Sequence, residues 1–167
     1  MFRDDAVVRV REATEADTSV VAALNTDVQR LHFEREPGRF RPPDAASVEP
    51  VIRGWLERLD DVKVFIAEDA DGTATGYAVA IVERRAENPF TRETKFVELD
   101  QIAVLPAHRR RGVGRLLTLR VLQFAADLGI DRVELTTWEF NRDAKTFFAS
   151  LGFVPSSRRM AATTARP

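Results

Sequence analysis

Apolar side chains recur every three or four residues in two segments of the N-terminal third, which predicts two amphipathic helices. The first begins after Thr14, a residue suited to capping a helix, and ends before Glu36, Pro37 and Gly38. Asp44 caps the second. Its predicted inner face consists of Val48, Val51, Ile52, Trp55, Leu56 and Leu59. A short apolar run, Val7 to Val10, comes before both helices and predicts a first strand.

From Asp61 onward the pattern becomes that of strands. Residues 62–67 and 73–83 are predicted to form a hairpin. Gly76 lies inside its second strand, which indicates a bulge or the close approach of another group to the backbone.

The next predicted strand, residues 95–105, changes phase along its length. Its apolar residues alternate up to Leu99 and resume at Ile102. One extra residue near 100–101 explains the change as a β-bulge. Bulges beside active sites redirect backbone groups, so this segment is a candidate site.

The C-terminal half continues with helices that end at glycines. Residues 112–128 and 143–151 are predicted helices, followed by Gly129 and Gly152. A strand over 132–138 separates them, and Phe153 and Val154 begin a last strand. The element order β, α, α, β, β, β, α, β, α, β predicts a mixed α/β fold with helices packed on one sheet.

Length and composition narrow the class of protein. The 167 residues, 44% of them hydrophobic, fit one domain over 1–167, with a core at about 7–160 and a tail at 161–167. The formal net charge of -1 argues against a nucleic-acid-binding module. The chain has no cysteine and two histidines, so no thiolate chemistry and no metal site is expected.

The N-terminus and the hydropathy pattern bear on location. Charged residues stand at positions 3–5, too early for a signal peptide, and no apolar run approaches the about 20 residues of a membrane span. We therefore expect a cytoplasmic protein without a membrane partner.

Four arginines and two glycines mark the junction between the bulged strand and the following helix. They stand, with Val113 among them, in the segment Arg109, Arg110, Arg111, Gly112, Val113, Gly114 and Arg115, and no acidic residue lies between 106 and 120. A helix N-terminus presents unpaired N–H groups and partial positive charge, and it binds phosphate well. The segment predicts a diphosphate held on backbone amides with guanidinium support. A solvated loop or an incidental nucleic-acid patch is the alternative.

Two segments of the chain resemble signatures of the GNAT superfamily of N-acetyltransferases. Residues 109–114 read Arg-Arg-Arg-Gly-Val-Gly and resemble its Gln/Arg-x-x-Gly-x-Gly/Ala motif. Residues 141–148, followed by Leu-Gly-Phe at 151–153, resemble its Asn-x-x-Ala-x-x-Phe-Tyr signature. The resemblance covers about residues 7–160. It implies a mostly antiparallel sheet of six to seven strands that splays between strands 4 and 5, with about four helices.

The resemblance also implies acetyl-CoA as cosubstrate and a primary amine as acceptor. The pyrophosphate is expected on residues 109–115, and the pantetheine arm along the backbone of Ile102, Ala103 and Val104. A backbone N–H near Ala103 or Val104, with Val104 preferred, is expected to polarise the thioester carbonyl. Further cofactor contacts are expected from Asn141, Ala144, Phe147 and Phe148.

Two carboxylates are candidates for the general base that deprotonates the amine. Glu98 lies eleven residues before Arg109, the offset of a catalytic glutamate in histone-acetylating relatives of the resembled family. Asp100 is the second candidate. The family often has a tyrosine at the position of Phe148 to protonate the departing thiolate, and phenylalanine cannot do so.

The acceptor amine, small molecule or protein, is left open by the sequence. Because of the missing tyrosine, a non-catalytic acetyl-CoA-binding regulator or sensor is the alternative function. Members of the resembled family often dimerise, so a homodimer is possible.

Overall fold

Five strands and four helices make up the regular structure of the described residues, which in this computed structural model are 8–58, 60–162 and 164. The strands are β1 (Arg9–Glu12), β2 (Val62–Glu68), β3 (Ala74–Arg85), β4 (Thr94–Val104) and β5 (Val133–Glu134). The helices are α1 (Thr18–Arg35), α2 (Ala45–Glu57), α3 (Val113–Asp127) and α4 (Arg142–Ser150). The predicted strand start at Val7, the apolar Leu59 and tail residues 163 and 165–167 lie outside the described residues.

The strands form one sheet in the order β1-β2-β3-β4-β5. Neighbours are antiparallel except β5, which runs parallel to β4. The β4–β5 pairing covers only Val97↔Val133 and Glu98↔Glu134. Beyond Glu98, β4 therefore loses its partner on that side, and the predicted splay between the fourth and fifth strands is confirmed.

The predicted strand count of six to seven is wrong for the described residues, in which the sheet has five strands. The predicted strand 132–138 is reduced to Val133–Glu134, because the ladder with β4 ends there. The apolar pair at Phe153 and Val154 starts no strand, and the Val154 side chain is 82% exposed.

Both faces of the sheet are covered by helices. One face packs on α1 and α2, where Val21, Leu24 and Ile52 meet strand residues such as Val64 and Val79. On the other face α3 packs on β2, β3 and β4. There the Phe65 and Phe124 rings lie edge to face at 6.3 Å. Helices therefore shield both faces of the sheet from solvent. The nearly continuous apolar sequence of β3 requires this, since its side chains point to both faces.

The predicted bulge in β4 is confirmed. Val79 pairs with Gln101 and Ala80 pairs with Leu99, so Asp100 is the extra residue of β4. β3 has a second bulge, at Thr75, where its pairing with β2 skips one residue. Thr75 lies beside Gly76, which is opposite the last residue of β4, Val104.

A charged cluster fastens β1 and β2 to the turn that precedes α1. Thr14 caps a 3-10 turn, Glu15–Asp17, in a reciprocal capping box with Asp17. The Arg11 guanidinium donates two hydrogen bonds to the Asp17 carboxylate (2.8 and 2.9 Å) and one to Glu68 (2.7 Å). These bonds, with those from Thr14, lower the pKa of the nearly buried Asp17 to about 2.

The chain divides into two compact units, one extending to Thr136 and the other starting at Thr137. The first contains the sheet with α1, α2 and α3, and the second contains α4. The expectation that residues 1–167 act as one domain stays a prediction.

Candidate functional site

The C-terminal half of β4 has one free edge. The Leu105 N–H donates to the Thr75 carbonyl (2.9 Å), on the β3 side. Backbone groups of consecutive strand residues point to opposite edges, so Ala103 also faces β3. Ile102 and Val104 direct their N–H and C=O groups to the edge that β5 leaves uncovered. An extended ligand could therefore pair with Ile102 and Val104, but not with Ala103.

Gly76 permits an unusually close approach of β3 to this segment. A Cβ placed on Gly76 would lie 2.6 Å from the Ala103 carbonyl oxygen and 3.3 Å from the Val104 Cα. Real Cβ atoms do not come so close to a backbone oxygen. Because Gly76 has no side chain, β3 can approach the Ala103–Val104 backbone this closely. This contact agrees with the close approach that the sequence offered as one explanation of Gly76.

The chain between β4 and α3 makes a tight turn. Residues Pro106–His108 form a 3-10 turn, and two left-handed residues follow, Arg110 (φ 63°) and Gly112 (φ 84°). A left-handed backbone is easy for glycine but costs energy for arginine. Strain of this kind at Arg110 is typical of functional loops.

The N-terminus of α3 offers N–H groups without acceptors in the helix. Its cap, Gly112, has no side chain to accept from them, and the first N–H that bonds back is that of Leu116, to the Gly112 carbonyl (3.0 Å). The exposed Arg110, Arg111 and Arg115 form no ion pair with any other described residue. Amide donors and uncompensated guanidinium groups together favour the binding of an anion, and the expected contact with a pyrophosphate stays a prediction.

Arg109, also predicted to contact the pyrophosphate, has a partner in the structure. Its Nε donates to the Val104 carbonyl oxygen (2.9 Å), on the free edge of β4. One guanidinium of the turn is thereby joined to the strand end, while its terminal nitrogens remain available to an anion.

The two candidate bases lie side by side at the start of this free edge. Glu98 is half-buried and pairs with Glu134 of β5, and Asp100 is the exposed bulge residue. Desolvation, then the negative charges of Asp100 and Glu83, raise the pKa of Glu98, and Arg85 partly opposes them. Desolvation and Glu83 also raise the pKa of Asp100, although its contact with solvent limits the effect.

Sequence reasoning missed one part of the site region, a polar cluster of Asn25, Tyr77 and Gln101. Their side chains are joined by three hydrogen bonds between α1, β3 and β4. No local pattern could signal this cluster, since Asn25 and Gln101 are 76 positions apart. The only hint was that Tyr77 is the single tyrosine.

The other predicted cofactor contacts belong to the second unit. The Asn141 side chain caps α4 by accepting from the Ala144 N–H (3.1 Å). Phe148 is buried, with the Phe147 and Phe153 rings at 5.0 and 5.5 Å. The structure therefore gives all of them a role within this unit, and their contact with a cofactor stays a prediction.

Residues 25–153 match the family model described as Acetyltransferase (GNAT) family. The chain belongs to this family. The match runs from α1 to the end of the second signature and includes β4, its bulge and the α3 N-terminus. The resemblance of the two signatures is thus confirmed at the level of the family.

Individual relatives cover the chain to different extents. The mycothiol acetyltransferase of Tsukamurella paurometabola is 28% identical over 165 residues, 95% of this chain and 51% of that protein. The chain thus spans about half the length of this curated relative.

Two solved structures share the fold. The BH1408 protein of Bacillus halodurans, as a tetramutant, has a TM-score of 0.88 at 24% identity, covering 93% of this chain and 99% of its own. The aminoglycoside N-acetyltransferase AAC(6')-Iy in complex with CoA has a TM-score of 0.75 at 21% identity, covering 98% and 99%. At these identities the likeness concerns the fold.

Two kinds of feature are absent from the described residues. None of their helices combines the length and the apolar character that crossing a membrane requires. No three His, Cys, Asp or Glu side chains among them are grouped so that they could hold a metal ion.

Proposed function

We propose that this chain is an acetyl-CoA-dependent N-acetyltransferase that moves the acetyl group to a primary amine by direct attack. The observation that carries the proposal is the free edge of β4 at Ile102 and Val104, next to the amide-rich N-terminus of α3. Family membership and the acetyltransferase names of relatives support it.

The residues present fit CoA in charge and in shape. The α3 N-terminus has spare N–H donors, and Gly112 leaves open space, with no atom within 4 Å of a Cβ position. Arg110, Arg111 and Arg115 supply positive charge for a diphosphate. The strand edge supplies amide and carbonyl groups for an extended amide-containing arm. When bound, acetyl-CoA supplies an activated acyl group as a thioester.

Within this proposal the Val104 N–H stabilises negative charge on the thioester oxygen. This N–H points away from β3 and has no hydrogen-bond partner in the sheet. It is therefore available to donate to an oxyanion. Removal of one such donor typically costs about 10²–10³ in rate. Ile102 has the second N–H on the same edge, and it can hold the neighbouring part of the cosubstrate.

Glu98 is our proposed general base, because desolvation and then the negative charge of the neighbouring Asp100 raise its pKa. A lysine-like amine has a pKa of about 10.4 and is protonated at neutral pH, so a group on the enzyme must accept its proton. A raised pKa makes Glu98 a better acceptor than an ordinary surface glutamate. A water molecule can link Glu98 to the amine.

No tyrosine is required in this scheme. Phe148 is packed between aromatic rings of its own unit. A CoA thiol resembles cysteine, with a pKa of about 8.5, so its thiolate leaves tolerably without an acid. The acceptor's identity, a homodimer and a cytoplasmic location stay predictions.

The proposal is tested by thiol release from acetyl-CoA with a panel of amines. We expect release that depends on at least one amine. Binding of CoA without release for any amine would instead favour the regulator or sensor, and no binding of CoA would refute both.

A matched pair of glycine variants locates the cosubstrate. Gly112→Ala and Gly129→Ala both place a Cβ at a left-handed residue (φ 84° and 67°) with open space, at opposite ends of α3. Their backbone strain is therefore similar. We expect Gly112→Ala to raise the KM for acetyl-CoA, since the Cβ stands where phosphate approaches, and Gly129→Ala to leave it unchanged. Equal effects would contradict the placement.

A further inference from the structure

Three polar side chains meet between α1 and the sheet beside the candidate site. Asn25 Nδ2 donates to the Tyr77 hydroxyl oxygen (2.9 Å) and to Gln101 Oε1 (2.9 Å). The Tyr77 hydroxyl donates to the same Oε1 (2.6 Å). We call these residues the Asn25–Tyr77–Gln101 triad. Each pair is bonded directly, so the triad closes into a ring of hydrogen bonds.

The triad is buried and its polar atoms are paired with one another. Tyr77 is fully buried and Asn25 is 8% exposed, so an unpaired polar atom here would cost free energy. Gln101 Oε1 accepts both donors. Turning this amide around alone would bring its NH₂ against the NH₂ of Asn25, so the orientations of the two amides are tied to each other. Burial also raises the pKa of Tyr77, which therefore remains a neutral hydroxyl.

The triad acts on the part of β4 that has least other support. Gln101 directly follows the bulge residue Asp100, where the ladder to β3 is interrupted. β5 no longer pairs with β4 at this point. Tyr77 is the cross-strand partner of Ala103, and Asn25 holds Gln101 from α1. Side-chain bonds thus replace the missing ladder constraint just before Ile102 and Val104.

We propose that the triad is a positioning unit that sets where the Val104 N–H lies relative to the thioester carbonyl. The inference rests on the proposed function, and none of the three residues touches the reacting atoms in it. A bulged strand with one free edge can shift along or out of the sheet. Three hydrogen bonds to α1 and β3 restrict that shift, so that the donor is in place before the cosubstrate binds.

Packing alone would predict a different behaviour. If the triad only filled space, then an apolar side chain of the same size would serve equally well. Tyr77→Phe removes one oxygen and keeps the ring, and Gln101→Met keeps the length of the side chain. Both variants therefore retain most of the packing and lose hydrogen bonds.

The first measurement is amide hydrogen exchange of Ala103 and Leu105, whose N–H groups face β3, in the free protein. We expect faster exchange in Tyr77→Phe and Gln101→Met than in wild type. Ile52→Val is the control, since it trims a side chain 1% exposed in the same core and leaves the three hydrogen-bonding side chains of the triad in place. Exchange at Ala103 and Leu105 as slow as in wild type, or equally fast in the control, would overturn the proposal whatever the activity of the protein.

The second measurement is the steady-state rate with acetyl-CoA and an accepted amine. We expect kcat to fall about tenfold in Tyr77→Phe, with the KM for acetyl-CoA within about twofold of wild type, because small misplacements of reacting groups mainly cost rate. The control should keep its kcat. An unchanged kcat in Tyr77→Phe would overturn the triad's role. Wild type without turnover would refute the proposed function instead, and the exchange measurement would still decide on the triad.

Discussion

Gly76→Ala tests whether the close contact of β3 and β4 matters for the candidate site. The new Cβ would lie 2.6 Å from the Ala103 carbonyl oxygen, and an ordinary contact starts at 3.4 Å, so the β4 backbone must move by about 0.8 Å. Overpacking of this kind typically costs about 1–3 kcal/mol in the free energy of unfolding. The Leu117 side chain, 3.3 Å away, blocks an easy escape of the methyl group.

The same displacement moves the Val104 N–H. Since a misplacement of about 1 Å can cost 10²-fold in rate, we expect a fall in kcat of about ten- to a hundredfold. The assays are thermal unfolding and thiol release from acetyl-CoA at a saturating concentration of an accepted amine.

Gly54→Ala is the control for this substitution. Gly54 lies inside α2, and no atom is within 4 Å of its Cβ position. Alanine in a helix interior is favoured over glycine by about 0.8–1.0 kcal/mol, so this variant should be slightly more stable and equally active. If Gly76→Ala has the stability and kcat of wild type, then the contact does not fix β4 and the reasoning is refuted.

Three further predictions concern single side chains. Asp17→Asn should lower the free energy of unfolding at pH 7 by about 1–2 kcal/mol. The lowered pKa of Asp17 alone corresponds to about 2.5 kcal/mol, but Arg11 is partly in solvent, which weakens the ion pair. Because folding lowers this pKa, the difference from wild type in urea unfolding should vanish as pH falls from about 5 toward 2, and a constant difference would contradict the ion pair. Asp100→Asn removes a negative charge beside Glu98 and should therefore lower the pKa of Glu98. The acid limb of the kcat/KM profile against pH should move to lower pH. Loss of activity at every pH would instead indicate that Asp100 itself is the base. Phe148→Tyr should leave kcat within about twofold of wild type, because a CoA thiolate leaves without an acid, and a large rise in kcat would show that an acid had been missing.

The sequence was most informative where a pattern was local. The change of apolar phase between Leu99 and Ile102 was enough to predict a bulge near 100–101, because one inserted residue shifts a strict strand alternation by one position. The structure identifies Asp100 as the inserted residue. Gly76 indicated a bulge or a close approach. The structure has a bulge at the neighbouring Thr75, and the Ala103 carbonyl makes the close approach. Asp44 caps α2 as its residue type suggests.

It was least informative where partners are distant along the chain. The apolar pair at Phe153 and Val154 looked like a strand, but a strand exists only through a neighbour, and the described residues provide none. β5 is likewise only two residues long, because its pairing with β4 stops after Glu98. Asn25 and Gln101 carry no local mark at all, and only the fold brings them to Tyr77.

The central claim is that the chain transfers an acetyl group directly from a thioester to an amine. Its most direct test uses acetyl-CoA carrying ¹³C in the acetyl group, an accepted amine, and mass spectrometry with NMR of the products. The account predicts that the label appears in an amide on the acceptor nitrogen, one for each thiol released, and that Glu98→Gln slows this step. Label found only in acetate, or left on CoA with every amine tried, would contradict it.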